Sequence, residues 1–539
     1  MSDEPHVYPE GCYFKSLADI KDKHITVMGL GLNGGGEACV KFFLQHGAYV
    51  TVTDMKSREE LLPTILSLTN DVTLDRSKLK YVLGEHRIED FAQADCVIKN
   101  PGVKYEGNKY LAAAKAVETD LSIFLYFAKE KRTPVIAVTG SKGKSSTASS
   151  IYYGLQKSGF TAFLGGNITV SPLTFLENID GTTPVVLELS SWQLRDLRGR
   201  KVLKPKIAVI TKIVPDHQNW YHSMDKYVAD KRIIYENQTE DDFTIVDGDE
   251  DNYKKESENP VSGCASWGDF FARDTKGKVL RYSQFVMKHD RYGAFLKKER
   301  DGSIAGYSYL PENLRSRHAQ MRNVEEEKIM GELLVPGSIM RINLLKSALV
   351  LQLLGIAPVQ IADVLGSWEG LAHRMEAFHT WKSPSDNRKV VFYNDSCATV
   401  PEAAAAATQA FKQDVILITG GTDKELDFLP LAQTLSGENG SKYHAKDIYL
   451  LEGSGTDKLT FLLDARRIVY FGPYKSLDEL LGAVREKLSS PGSRSAYGPV
   501  NSKMPLPVVF SPGCTSFGMF QNEFDRGEQF KKKVKELFF

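Results

Sequence analysis

A short apolar run followed by a glycine-rich turn is the sequence feature that most restricts how this chain can fold. Residues 135–139 (VIAVT) have the character of a buried strand, and residues 140–147 (GSKGKSST) follow at once. Glycines let the backbone approach an anion closely, and a helix that starts here directs its N–H groups to the same place. Lys144 adds a positive charge, and Ser145 adds a hydroxyl group that can bind Mg²⁺. The stretch predicts a strand, a phosphate-binding turn and a helix in succession, and a bound nucleoside triphosphate.

The turn is a short variant of the usual phosphate loop. A glycine normally stands six residues before the lysine, and Val138 holds that position in this chain. Only the pattern G-x-x-G-K-S, at residues 140–145, remains. Short glycine-lysine turns also arise by chance, so an ordinary strand-to-helix turn is the alternative interpretation of the motif taken alone.

Length, charge and cysteine usage narrow the class of protein. A chain of 539 residues is expected to form about three or four domains of roughly 150 residues each. The 68 basic and 68 acidic residues cancel, so no net field recruits nucleic acid or an anionic membrane. The six cysteines form no C-x-x-C pair. Residues 1–11 (MSDEPHVYPEG) are acidic and polar, and no apolar run approaches roughly 18 residues, so we expect neither a signal peptide nor a membrane span. We expect a soluble, cytoplasmic protein with reduced thiols and no membrane insertion.

Strand-like and helix-like segments alternate along most of the chain, which is typical of parallel sheets covered by helices. The predicted fold class is α/β with three domains: a Rossmann-like N-terminal domain (1–130), a central P-loop ATPase-like domain (131–372) and a Rossmann-like C-terminal domain (373–539). Residues from about 249 to 336 are polar and show little periodicity. We interpret them as an insertion around the edge of the central sheet.

A second glycine turn lies near the start of the chain. Gly29, Gly31 and Gly34 satisfy G-x-G-x-x-G, and Asp54 ends a strand-like run about 20 residues further on. This spacing predicts a Rossmann-like turn that holds a phosphate-bearing nucleotide, although NAD itself is not specified. A tight strand-to-helix turn without a ligand is the alternative.

Three polar residues follow strand-like or helix-like runs downstream of the phosphate turn. Glu188 ends the run PVVLEL, where a carboxylate at the end of a parallel strand could bind Mg²⁺. His217 follows the next strand and could be a metal ligand, a base or a plain loop residue. Lys231 lies in a helix-like run and, taken alone, is most simply a surface lysine.

The motifs, in their order along the chain, resemble those of the Mur ligase family, and within it the ligases that add D-glutamate. The resemblance covers nearly the whole sequence. The motifs that carry it are GLGLNG, NPGV, TGSKGKSST, GGNI, ELSSWQL, PDH, YVADKRIIYEN, HRME, NDSCAT, GGTDK and SPGCTSF.

The resemblance implies an ATP-dependent ligase that forms an amide bond during peptidoglycan precursor synthesis. ATP would phosphorylate a substrate carboxylate, and an amino acid amine would attack the acyl phosphate. The implied substrates are UDP-N-acetylmuramoyl-L-alanine and D-glutamate, and the implied cofactors are ATP and two Mg²⁺ ions. The protein is expected to be a monomer, with Lys231 carbamylated as in the family.

The resemblance also assigns roles to individual residues. The catalytic residues would be Lys144, Glu188, His217 and Lys231, and the metal ligands Ser145, Glu188, His217 and carbamylated Lys231. The ATP-binding residues would be Gly140, Ser141, Lys142, Gly143, Lys144, Ser145, Ser146, Asn343, Arg374 and Asp395. The uridine substrate would contact Gly31, Leu32, Asn33, Asp54, Lys56, Asn167 and Ser190. The amino acid would contact Thr399, Lys424, Ser516 and Phe517.

The chain departs from the family pattern at several positions. Cys397 stands where the motif D-S-K-A-T has lysine, Ile339 and Met340 replace a histidine and an asparagine near the adenine, and Gly518 replaces an aspartate. We therefore expect ATP and amino acid pockets that differ in shape from those of the family. A Mur-type ligase with another amino acid acceptor and a nucleotide-binding relative without catalysis remain the two alternatives.

Overall fold

The computed structural model describes residues 5–32, 34–168, 170–411, 413–440, 444–490, 504–516 and 518–539, and not the side chains of residues 218, 219, 317, 318 and 322. The chain divides into two compact units. The first contains residues 1–332 and 342–365, and the second contains residues 333–341 and 366–539.

The first sheet of the first unit has five parallel strands in the order β3-β2-β1-β4-β5. The strands are β1 (His24–Met28), β2 (Tyr49–Asp54), β3 (Leu79–Leu83), β4 (Cys96–Lys99) and β5 (Val117–Glu118). The helices are α1 (Gly35–Gln45), α2 (Leu62–Asn70), α3 (Ile88–Ala92), α4 (Lys109–Ala113) and α5 (Asp120–Glu130). Helix α1 buries Val40, Phe43 and Leu44, which is the apolar face that its sequence predicts.

The second sheet of the first unit has nine strands in the order β14-β13-β12-β11-β10-β9-β6-β8-β7. They are β6 (Val135–Thr139), β7 (Phe163–Gly166), β8 (Val185–Glu188), β9 (Ile207–Ile210), β10 (Phe243–Asp247), β11 (Lys278–Ser283), β12 (Gly293–Lys298), β13 (Ile304–Tyr309) and β14 (Glu326–Met330). Strands β6 to β12 pair in parallel with their neighbours in this group, whereas β13 is antiparallel to both β12 and β14. The carboxyl ends of β6, β8 and β9 therefore lie at one edge, where ligands bind in sheets of this kind.

Among the described residues, nine α-helices follow β6 along the chain up to residue 366, and the last two belong to the first unit only within residues 342–365. They are α6 (Lys144–Lys157), α7 (Ser191–Arg195), α8 (Gln218–Tyr221), α9 (Met224–Arg232), α10 (Tyr253–Glu256), α11 (Trp267–Asp274), α12 (Arg317–Arg322), α13 (Ser338–Leu353) and α14 (Pro358–Gly366). One hydrophobic cluster contains buried residues of both sheets, such as Val27 of β1 and Leu187 of β8. The two sheets of this unit thus share a continuous core.

The polar segment with little periodicity contains regular structure. Strands β11 to β14 fall within it and extend the nine-stranded sheet beyond β10. Apolar side chains such as Leu280, Phe295 and Ile329 are buried in these strands. Charged residues between the strands, for example in KKERDGS, interrupt the alternation of apolar and polar residues that predicts a strand. These strands were therefore not predicted.

The sheet of the second unit has the order β15-β16-β20-β17-β18-β19, and only β15 runs antiparallel to its neighbour among these strands. The strands are β15 (Glu376–Lys382), β16 (Lys389–Asn394), β17 (Val415–Gly420), β18 (Ala445–Leu451), β19 (Phe471–Tyr474) and β20 (Leu506–Phe510). The helices are α15 (Pro401–Gln409), α16 (Leu429–Ser436), α17 (Ser454–Ala465), α18 (Leu477–Ser489) and α19 (Glu523–Leu537). Helix α19 is capped by Asn522, whose side chain accepts from two backbone N–H groups, and it buries Phe530 and Val534.

The α/β fold class with largely parallel sheets is confirmed. The domain limits near residues 130 and 372 stay predictions. Short 3-10 helices lie at Leu17–Ile20, Arg76–Lys78, Pro172–Asn178, Ile233–Tyr235 and Glu312–Leu314. Within the part of the chain that the structure describes, no helix combines the length and the apolar character that crossing a membrane requires.

Candidate active site

The predicted phosphate turn connects the carboxyl end of β6 to the start of α6. Gly140 has φ +141° and Gly143 has φ +93°, which are conformations that other residues rarely adopt. A Cβ on Gly140 would collide with the Thr211 side chain, and one on Gly143 would collide with the amide of Asn343. Both glycines are therefore required by the shape of the turn. Ser145 and Ser146 lie in the first turn of α6, where N–H groups point out of the helix.

Neighbouring segments hold this turn in place. The N–H groups of Ser141 and Lys142 donate to the carbonyl oxygen of Lys212, at 2.9 and 3.2 Å. The Ser141 hydroxyl donates to the carbonyl oxygen of Val214 at 2.8 Å and shares a hydrogen bond with the Tyr227 hydroxyl at 2.9 Å. Because these four hydrogen bonds fix two adjacent residues, the turn is ordered before a ligand arrives.

Two lysines converge on the carbonyl oxygen of Gly140. Lys144 Nζ and Lys231 Nζ each donate to that oxygen at 2.9 Å. Lys231 is only 1% exposed, and its Nζ lies 4.5 Å from the centroid of the Tyr227 ring. Burial, and then the like charge of Lys144, lower the pKa of Lys231 well below its usual value. Lys231 is therefore a buried residue of α9 that contacts the phosphate turn, and not a surface lysine.

Glu188 places a buried carboxylate at the end of β8. This strand pairs with β6, and Glu188 lies opposite Val138, just before the phosphate turn. Asn167 donates its backbone N–H to the Glu188 carbonyl oxygen at 2.8 Å and its Nδ2 to Glu188 Oε1 at 3.1 Å. Glu188 Oε2 is buried and has no hydrogen-bond partner among the described residues. An unsatisfied anionic oxygen beside a phosphate turn fits a hard cation such as Mg²⁺.

His217, predicted as a metal ligand, and Ser190, predicted to contact the uridine substrate, make no contact with Glu188 among the hydrogen bonds described for them. His217 is exposed, has φ +52°, and its ring centroid lies 4.9 Å from that of Trp192. Ser190 caps α7 through the N–H of Gln193. Among the residues that the structure describes, no group of three His, Cys, Asp or Glu side chains could hold a metal ion. Any metal held by Glu188 would therefore need ligands of other kinds, such as the Ser145 hydroxyl.

The glycine turn near the start of the chain lies at the ends of β1 and β2. The N–H groups of Leu30 and Gly31 donate to Asp54 Oδ2 at 2.9 and 3.1 Å, and the N–H of Lys56 donates to Oδ1 at 2.9 Å. Asp54 Oδ2 thus shapes the glycine turn, whereas Oδ1 fixes the chain that follows β2. Leu32 is half exposed beside it, at 50%. Asn33, which was predicted for the same site, lies outside the described residues.

In the second unit, Arg374 and Asp395 lie close together. Arg374 is exposed, between His373 and Met375, which both have positive φ. Asp395 Oδ2 accepts from the Ser511 hydroxyl at 2.7 Å, and its Oδ1 accepts from the N–H of Met375 at 3.1 Å. Burial raises the pKa of Asp395 to about 6, and the charge of Arg374 opposes this rise.

The residues predicted to bind the amino acid lie on three loops of the second unit. Thr399 follows β16, Lys424 follows β17 and Ser516 follows β20, and these strands are neighbours in the sheet. Lys424 Nζ is 3.5 Å from the Thr399 hydroxyl oxygen. The N–H of Thr515 donates to the carbonyl oxygen of Thr422 at 3.0 Å, which joins two of the loops. Phe517 lies outside the described residues.

A buried arginine that the sequence analysis missed connects these loops. Arg526, in α19, is 1% exposed. Its guanidinium donates to the carbonyl oxygens of Ser396 (2.7 Å), Cys514 (3.1 Å) and Thr515 (2.9 Å), and to the Ser396 hydroxyl at 3.0 Å. Burial lowers its pKa to about 10. The sequence FDRGEQF carries no local signal for this role, because the partners lie far away along the chain.

Tyr227 and Lys212 were also missed. Tyr227 contacts both Ser141 and Lys231, and Lys212 holds the phosphate turn through its carbonyl oxygen. A backbone acceptor carries no residue-type signal. Two signals pointed to Tyr227: it begins the motif YVADKRIIYEN, and it precedes Lys231 by four residues in a helix, where such residues share a face.

The site combines a glycine-rich phosphate turn, two lysines and a buried glutamate at the edge of a parallel sheet. These features are typical of nucleotide-binding α/β proteins. Comparison with known sequences narrows this class. The model described as "Mur ligase middle domain" matches residues 138–295, and that described as "Mur ligase MurD-like, N-terminal domain" matches residues 23–121. The chain belongs to the Mur ligase family of ATP-dependent ligases, as its motifs predicted.

Full-length relatives agree with these matches. A UDP-N-acetylmuramoylalanine--D-glutamate ligase of Treponema pallidum is 36% identical, over 97% of this chain and 99% of the relative. Ligases of the same name from Borreliella afzelii (36% identical, 97% and 99%) and a Roseiflexus species (30% identical, 96% and 99%) are also similar.

Solved structures are similar in fold. A UDP-N-acetylmuramate-alanine ligase of Thermotoga maritima has a TM-score of 0.51 at 16% identity, covering 95% of this chain and 99% of that one. MurF of Acinetobacter baumannii has a TM-score of 0.52 at 15% identity, covering 82% and 91%.

Proposed function

We propose that the protein joins D-glutamate to UDP-N-acetylmuramoyl-L-alanine with the consumption of ATP, in the synthesis of peptidoglycan precursors. The observation that carries the proposal is the 36% identity, along the whole chain, to a ligase named for this reaction. The two lysines at the Gly140 carbonyl oxygen and the buried Glu188 support the ATP-dependent step.

The reaction requires activation of a carboxylate. A carboxylate oxygen of the alanyl group would attack the γ-phosphorus of ATP, and ADP would leave. The D-glutamate amine would then attack the acyl carbon, lose a proton, and expel inorganic phosphate that retains one oxygen of the original carboxylate. Positive charges at the phosphate turn favour these steps because they stabilise the charge that develops on the transferred group.

The residues of the phosphate turn supply much of that charge. We assign Lys144 and the loop N–H groups to the phosphates of ATP. Glu188 Oε2 and the Ser145 hydroxyl would hold Mg²⁺, which supplies charge neutralisation at the phosphates when bound. His217 and Lys231 are proposed for a second ion.

The environment of Lys231 supports its carbamylation. Only a neutral amine reacts with carbon dioxide, and burial together with Lys144 favours the neutral form of Lys231. The product is a carbamate, which exchanges a cation for an anionic oxygen ligand. A metal ion and the neighbouring Lys144 would then stabilise that anion.

The other sequence-based assignments remain predictions. The uridine substrate is assigned to Gly31, Leu32, Asp54, Lys56, Asn167 and Ser190, together with Asn33. The amino acid is assigned to Thr399, Lys424, Ser516 and Phe517, and the nucleotide also to Arg374 and Asp395. The domain limits, a monomeric state and a cytoplasmic location are likewise predictions.

The proposed reaction is tested by phosphate release from the purified protein. UDP-N-acetylmuramoyl-L-alanine, D-glutamate and Mg-ATP together are expected to release phosphate, and omission of any one is expected to abolish the release. L-glutamate serves as the matched amino acid control. Release that does not depend on D-glutamate would contradict the proposal, and release with a different amino acid would indicate another acceptor.

Arg526 is expected to position the amino acid loops. Arg526→Lys keeps the positive charge but loses the fork of donors that holds two loops together. We expect the KM for D-glutamate to rise roughly tenfold, as loss of one or two hydrogen bonds implies. The KM for ATP serves as the internal control. An equal rise in both KM values would indicate general loosening of the fold instead.

A further inference from the structure

Helix α13 runs beside α6, the helix that starts at the phosphate turn. One face of α13 contacts α6 at three successive turns: Asn343 with Gly143, Ser347 with Ser150, and Leu351 with Gly154. The hydroxyl oxygens of Ser347 and Ser150 are 2.7 Å apart, and Ser347 is fully buried. Residues four apart share a face, so α13 fixes Asn343 at the turn.

Lys346 lies inside this packing and is 1% exposed. Its Nζ donates to Asn343 Oδ1 at 2.8 Å and lies 4.6 Å from the centroid of the Tyr282 ring in β11. Burial lowers the pKa of Lys346 to about 7, Asp247 opposes this shift, and Lys212 adds to it. Burial favours the neutral form of a lysine, and the groups that this side chain contacts are the Asn343 amide oxygen and the Tyr282 ring.

The chemistry of the two side chains fixes the orientation of the amide. Lys346 Nζ donates to Asn343 Oδ1, and the amide nitrogen could not accept that hydrogen bond, so the oxygen of the amide faces Lys346. The Nδ2 group is then turned the other way and can only donate. Both amide atoms lie beside the position that a Cβ on Gly143 would occupy; Oδ1 is the nearer of the two, and Nδ2 is 3.2 Å from that position.

We propose that Lys346 is a positioning residue of the nucleotide site. Lys346 holds the Asn343 amide beside Gly143 with the amide oxygen facing Lys346. The amide nitrogen Nδ2 is then available as a donor to an acceptor atom of ATP. The inference rests on the proposed function only in taking ATP as the ligand. Lys346 lies outside the phosphate turn, and the Tyr282 ring of β11 packs against its Nζ.

Titration calorimetry of Mg-ATP into the full-length protein tests the role. Lys346→Met removes the donor and keeps a similar volume, and is expected to raise the Kd for Mg-ATP about tenfold. The midpoint of thermal unfolding is expected to stay equal or rise, because a buried charge is removed. A purely structural lysine would instead lower the midpoint without this selective loss of affinity. Lys298→Met, an exposed position in β12, is the matched control and is expected to bind as the wild type does.

A double-mutant cycle isolates the action through Asn343. In an Asn343→Ala background, Lys346→Met is expected to change the Kd by less than about twofold, because the group that it orients is gone. Unchanged affinity in the single variant, or the same loss in both backgrounds, would overturn the proposal. If Lys346→Met does not fold, Lys346→Gln replaces it: its amide can turn either way, so a raised Kd is again expected only when Asn343 is present. If the binding results are as expected but turnover does not depend on D-glutamate, the proposed function is contradicted and the role of Lys346 is not.

Discussion

Replacement of Lys231 by alanine is expected to lower D-glutamate-dependent phosphate release by a factor of roughly 10³, comparable to the loss of a group that stabilises charge in a transition state. The side chain is buried and donates to the Gly140 carbonyl oxygen, beside Lys144. In the proposed carbamylated form it also supplies an anionic ligand to a metal ion. Turnover under saturating substrates, with thermal unfolding to verify folding, measures the effect.

Lys226→Ala is the matched control for Lys231. Lys226 is an exposed lysine of the same helix, α9, and its removal is expected to leave turnover unchanged. Labelled carbon dioxide distinguishes the carbamate from a plain ammonium: the wild-type protein and the Lys226 variant should incorporate the label, and the Lys231 variant should lose that signal. Incorporation that persists without Lys231 would contradict carbamylation at this residue. Full activity of Lys231→Ala would show that the residue is not catalytic.

Glu188→Gln is expected to reduce turnover by a factor of roughly 10³, because a metal that neutralises phosphate charge contributes several kcal/mol to the transition state. Glutamine keeps the size of the side chain and an oxygen that can accept from Asn167 Nδ2. It replaces the second carboxylate oxygen, which has no hydrogen-bond partner among the described residues, with a donor. The measurement is turnover against Mg²⁺ concentration, where the variant should need far more Mg²⁺ for half-maximal rate.

Glu240→Gln is the control for the loss of one carboxylate. Glu240 is exposed and lies in the turn before β10, so its substitution should leave the Mg²⁺ dependence as in the wild type. A Glu188 variant whose Mg²⁺ requirement matches that of the wild type, even with lower turnover, would argue that Glu188 shapes the site and does not bind the metal.

Secondary structure that depends on residues close together in the chain could be predicted from the sequence. The strand, turn and helix at residues 135–157 could be predicted because apolar spacing and glycine positions act between near neighbours, and β6 and α6 confirm them. The placement of Glu188 at a strand end was predictable in the same way. Lys231 was different, since the helix pattern alone indicated a surface residue and only the family motif marked it.

The features that the sequence could not provide arise from tertiary packing. Arg526 gains its partners because α19 packs against the loops that follow β16 and β20, and Lys346 contacts the Tyr282 ring of β11. Neither residue lies in a motif. The strands of the polar segment were missed because charged connections interrupt their short apolar runs. The same limit applies to Asp54, whose spacing was predicted but whose two hydrogen bonds from the glycine turn were not.

The central claim is that the protein activates a carboxylate by transferring phosphate to it. UDP-N-acetylmuramoyl-L-alanine with isotopically heavy oxygen in its alanyl carboxylate tests this claim most directly. Mass analysis of the phosphate released with D-glutamate and Mg-ATP is expected to show one heavy oxygen per phosphate, because that oxygen becomes the leaving group. Phosphate that contains only oxygen from ATP and water would contradict an acyl phosphate and, with it, the proposed reaction.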